Sequence, residues 1–146
     1  MNLYLIIRYV HIISILLLFG AVLAEWLLLQ KVVSKKLLKR IAIFDAIYGI
    51  SAITVLFAGL TMWLWVGKPA EYYNQNGWVY VKLGMFIIVG LLSIVPSIFI
   101  FKNNKGSDLD TNIDVPRSVR LMVGIEMILL CAIPIFAILM ANGIAI

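Results

Sequence analysis

Four apolar stretches, roughly 3–29, 41–66, 78–101 and 117–141, take up most of the chain. A bilayer-crossing helix needs about 20 mostly apolar residues, so each stretch is long enough to span. The polar segments between them are short, and short connections favour antiparallel neighbours. The pattern predicts an all-α polytopic membrane protein, a four-transmembrane-helix up-down bundle, with residues 1–146 forming a single transmembrane domain. The first stretch is too long for the apolar core of a signal peptide, and no small-residue cleavage site follows it. It is read as a retained helix.

Local signals sharpen the boundaries. Lys68-Pro69 marks the exit from the second helix and Asn76-Gly77 a turn before the third. Asp114 followed by Pro116 predicts the start of the fourth. Pro96 and Pro134 fall inside helices three and four, where each removes a backbone donor and predicts a kink. Gly49, Gly59, Gly84 and Gly90, with Ala46, Ala52 and Ala58, are read as sites of close helix packing. Trp63, Trp65, Tyr72, Tyr73, Trp78 and Tyr80 gather around the second loop as an aromatic belt, and Trp26 anchors the opposite end of helix one.

Charge orients the bundle. The first loop carries Lys31, Lys35, Lys36, Lys39 and Arg40, and the third carries Lys102 and Lys105 with Arg117 at its edge. The second has only Lys68 and Glu71. Cytoplasmic loops are the basic ones, which predicts a bacterial inner-membrane protein with both termini outside. Composition agrees: 64% of residues are hydrophobic and 13% charged, with a mean hydropathy of +1.08. A soluble chain of this length could not cover that much apolar surface, so the lipid bilayer is the expected partner. The net charge of +5 resides mostly in those loops and does not point to nucleic acid. Cys131, the single cysteine, allows no internal disulfide and reads as a small hydrophobe.

Ionisable residues within a span are costly and need partners. At about 100° per residue, Tyr4, Arg8, His11, Ser14, Leu18, Val22 and Glu25 share a narrow arc of helix one. Sorted by depth, Arg8, His11 and Lys82 form an outer basic group. Glu25, Asp45 and Glu126 form an inner acidic group, with Tyr48 on the same face as Asp45. Arg40, Arg117 and Arg120 stand nearby as counter-ions. Two readings follow: structural pairs between the inner acids and those arginines, or a polar core with an outward-facing ligand site and a carboxylate-lined path inward. His11, the only histidine, is a candidate axial ligand or metal ligand. Met62 or Met85 would complete a His/Met haem set, or a dimer would bring two copies of His11 together. Imidazole with thioether also suits Cu(I).

The runs Arg8-Tyr9-Val10-His11, Asp45-Ala46-Ile47-Tyr48-Gly49, Lys82-Leu83-Gly84-Met85-Phe86, Leu92-Ser93-Ile94-Val95-Pro96 and Met140-Ala141-Asn142-Gly143 resemble an uncharacterised family of small four-helix bacterial inner-membrane proteins, over nearly the whole chain. That resemblance implies the fold and no activity. More distantly, His11 and the segment Gly77-Trp78 to Val81-Lys82-Leu83 are similar to the membrane-bound protoporphyrinogen oxidases and to the copper-resistance D proteins. The oxidase likeness implies haem b, with His11 and Lys82 as the residues carried over. Tyr80 stands where those oxidases often have a second histidine.

Two functions are therefore expected. One is a haem- or porphyrin-binding redox protein with His11 as axial ligand, and with Lys82 and Arg8 on the propionates. The other is a non-enzymatic transporter subunit, or an accessory or assembly protein of a larger membrane complex, with copper handling as a variant. A homo-oligomer fits either.

Overall fold

A computed structural model describes residues 2–144 and 146. Four long helices dominate: α1 (Leu3–Leu28), α2 (Lys35–Thr61), α4 (Gly77–Asn103) and α5 (Arg117–Ala141). All four, α2 together with the turn that follows it, are long and apolar enough to cross a membrane. The chain is an all-α polytopic membrane protein. α1 packs along α2 and α4 along α5, and the two hairpins meet through α1 against α5 and α2 against α4. The core is the seam between them, built from Leu18, Val22, Leu38, Ile41, Tyr48, Val89, Ile100 and Val123. Large apolar side chains such as Ile50, Phe57, Leu91 and Ile128 stay exposed on the outside. Lipid would solvate that face, as expected for helices whose apolar surface exceeds what one bundle can bury.

Several elements lie outside the apolar pattern. α2 begins at Lys35, about one and a half turns before its apolar run, because Ser34 Oγ accepts from Leu37 N at 3.2 Å and caps it. Asn2 and Asn76 do the same for α1 and α4. α2 closes in a π-helical turn, Met62–Val66, in which Gly67 N donates to the Met62 carbonyl at 2.9 Å. A Cβ at position 67 would stand 2.1 Å from that carbonyl oxygen, so only glycine fits. A short helix, α3 (Ala70–Asn74), follows, and the Tyr72 hydroxyl reaches the Met140 carbonyl near the end of α5.

The first and third loops are joined. β1 (Val32–Ser34) pairs antiparallel with β2 (Asn112–Asp114), and the bonds Val115 N to Lys31 O and Lys35 N to Thr111 O extend the ribbon. Asp114 therefore lies in a strand, and α5 starts after Pro116 without a side-chain cap. Beside the ribbon, Asp108 accepts from Thr111 Oγ1 and Asp110 N; these bonds, with Lys35 nearby, hold its carboxyl below the usual carboxylate range. The bundle thus has a ribbon end and a terminal end.

α4 and α5 carry Pro96 and Pro134 inside continuous helix. One packing expectation changes. Gly49, Gly84 and Gly90 have open space where a Cβ would stand, so they are not close contacts, whereas Gly59 is one. In the aromatic belt, Trp65 and Tyr80 face outward, but Trp78 stacks on Phe136 at 5.1 Å.

Candidate functional site

Two polar levels sit inside the bundle. At the ribbon end, Glu25 on α1 and Glu126 on α5 are only 2% and 1% exposed. Glu25 points along the buried stripe Ser14, Leu18, Ala21 and Val22, which fixes the inward face of α1. Asp45 on α2 lies beside Glu25, and Ser97 Oγ on α4 donates to Asp45 Oδ1 at 2.7 Å. The Tyr48 hydroxyl, one turn further along α2, lies near Glu126 and Ser93. All four long helices contribute to this cluster.

The electrostatics of the cluster are one-signed. The charges acting on Glu25 are those of Asp45 and Glu126, and Glu126 feels Asp45 in turn. Among the described residues, Glu25 Oε1 and Glu126 Oε1 have no hydrogen-bond partner. The arginines expected as counter-ions lie elsewhere: Arg117 and Arg120 line a cleft between α1 and α5, and Arg40 lines a smaller one beside Ser34. The inner carboxyls are therefore neighbours of one another rather than halves of structural pairs. Among the described residues, no group of three or more His, Cys, Asp and Glu side chains has the arrangement of a metal site.

Near the terminal end, His11 sets its Nδ1 3.1 Å from the Val55 carbonyl of α2. The ring enters a notch left by Gly59, where a Cβ would come within 3.3 Å of Cε1. Val55 O is the carbonyl that the Gly59 amide would take in a regular helix, so glycine gives the imidazole access to a backbone acceptor. Lys82 on α4 is half-buried and close enough for its charge to act on His11. Met85 is also half-buried on α4. Arg8 differs from expectation: its side chain is exposed, one position round from the buried face. Met62, the other methionine considered, starts the π-helical turn.

Between the levels, Ser14 and Ser51 are buried at 5% and 4% exposure. His11 and Glu25 are separated by about 21 Å along α1. Ser51 was not singled out from its sequence neighbourhood, although it stands one turn from Tyr48 on the same face of α2, a spacing that would have identified it. Ser97 is likewise a serine one residue past Pro96 on an otherwise apolar helix.

The family model described as "Predicted membrane protein (DUF2214)" matches residues 3–145. The chain belongs to that family. No curated protein and no solved structure matches it. Within this DUF2214 chain, the buried or half-buried polar groups include His11, Ser14, Ser51, Tyr48, Glu126, Glu25, Asp45 and Ser97, spread between the histidine level and the carboxyl level.

Proposed function

We propose that this protein is a proton-handling subunit of the bacterial inner membrane, a small transporter component or an accessory part of a larger complex. In this reading the carboxyl cluster at the ribbon end binds a proton, and the polar line beyond it relays protons toward His11. The observation that carries the reading is the pair Glu25 and Glu126, nearly fully buried, grouped with Asp45 and lacking a basic neighbour among the described residues. Buried charge without compensation is costly, so the offsetting positive charge must come from a bound species. A proton needs no cage of ligands. Ser14, Ser51, Tyr48 and His11 are groups that both donate and accept, and intramembrane proton relays are built of such groups. The basic loops orient the ribbon end to the cytoplasm and both termini to the outside.

The test uses the purified full chain in liposomes carrying a trapped pH-sensitive dye under an imposed pH gradient, with infrared spectra of the same protein. Proton flux above that of empty liposomes is expected, falling sharply in Glu25→Gln and Glu126→Gln. A carboxylic-acid carbonyl band at neutral pH should disappear in Glu25→Gln. Absence of that band from the parent protein overturns the proposal even where flux requires a missing partner.

A second reading, haem b held by His11, has one observation in its favour: the contact of Nδ1 with Val55 O leaves Nε2 for a metal. Bound haem would supply one-electron chemistry, and Lys82, whose charge acts on His11, would be the residue to meet a propionate. A Soret band after expression with ample haem, lost in His11→Ala, decides it.

A further inference from the structure

A cleft of about 560 Å³ opens at the ribbon end between the last turn of α1 and the first turns of α5. Its polar wall is Lys31, Arg117, Arg120 and Gln30, and its apolar wall includes Trp26 and Leu121. Among the described residues, no acidic one lines it. Three cations on one wall without an acid beside them make a positive patch that suits an anion. Arg120 also lines the cleft, and its Nε is buried with no hydrogen-bond partner among the described residues. A buried guanidinium donor left unmade is expensive. The fold also holds the cations in place: the ribbon bond from Val115 N to Lys31 O, 2.8 Å long, ties the segment bearing Lys31 to the start of α5. Trp26 lies across Gly124 and is about half exposed, so the apolar wall continues outward along the bundle's lipid-facing side.

We infer that this cleft binds the phosphodiester of an anionic membrane phospholipid, with Lys31, Arg117 and Arg120 on the phosphate and Trp26 and Leu121 beside the upper acyl chain. The chemistry is that of planar guanidinium donors on phosphate oxygens. The position, where spans end and basic loops begin, is the level of lipid headgroups. The apolar wall distinguishes a lipid from a soluble phosphate, which would leave Trp26 and Leu121 without a role.

Native mass spectrometry of the detergent-purified full chain tests the inference, with phosphatidylglycerol, phosphatidylcholine or inorganic phosphate added. Phosphatidylglycerol is expected to bind about tenfold or more tightly than phosphatidylcholine. Lys31→Gln and Arg117→Gln should each weaken it about fivefold, and Arg120→Gln more strongly. Both Lys31 and Arg117 are exposed, so those variants keep the test intact where Arg120→Gln fails to fold. Equal affinity for the two lipids, or unchanged binding in both surface variants, overturns the inference. Displacement of the lipid by millimolar inorganic phosphate also overturns it and assigns the cleft to a soluble anion.

Discussion

Replacing Glu126 by glutamine separates two accounts of the buried acids. Were Glu126 half of a structural ion pair, its removal would strand a buried partner and cost about 3–5 kcal/mol. Its neighbours are instead the Tyr48 hydroxyl and the charge of Asp45, and its Oε1 has no partner among the described residues. An amide of the same shape removes a like charge, keeps an acceptor near Tyr48 and brings donors among carboxyl oxygens. An unsatisfied buried polar group costs about 1–3 kcal/mol. The Glu126→Gln protein should therefore match the parent or exceed it by up to that amount. For a chain near this length, each kcal/mol moves the thermal midpoint by about 2–4 °C. The assay is thermal unfolding in detergent followed by tryptophan fluorescence. A loss of about 3 kcal/mol or more, the scale of a broken buried pair, would refute the one-signed cluster and restore a cationic partner. Retained stability with lost proton flux supports it.

Three further outcomes are expected. Gly67→Ala places a methyl against the Met62 carbonyl and should cost about 1–3 kcal/mol, read as a lowered melting midpoint. Val32→Cys with Asp114→Cys, on a Cys131→Ser background, should form a disulfide visible on a non-reducing gel, because the two positions are register partners; reduced protein after mild oxidation would contradict the ribbon. Gly59→Ala should destabilise the parent but not the His11→Ala protein, since the added methyl meets only the imidazole; additive effects in that double-mutant cycle would remove His11 from the notch.

The four spans were legible because apolar length alone specifies them, and the depth ordering of charges was legible because helical rise is fixed. The ribbon was not. Each strand has three residues, too few to carry a periodic signal, and the partners are about eighty positions apart. The π-helical turn has no residue signature distinguishing it from the α-helix it ends. Arg8 shows the limit of arc counting: it is 40° from Tyr4 at 100° per residue, and that offset, with a long side chain, is enough to leave it outside. Depth brought Glu25, Asp45 and Glu126 to one level correctly. It could not say that Arg117 and Arg120 would turn toward a cleft instead.

The ribbon has a mechanical consequence. It fastens the α1–α2 hairpin to the α4–α5 hairpin at one end, while the link at the other runs through α3 and its flanking turns. A relative motion of the hairpins would then turn about this ribbon, within the slack of the 67–76 connection, like the arms of tweezers. A given angle moves each side chain in proportion to its distance from the clasp. His11 and Lys82 lie on the long arms and Glu25 and Asp45 close to the pivot, so a small opening would expose the histidine level while leaving the carboxyls nearly still.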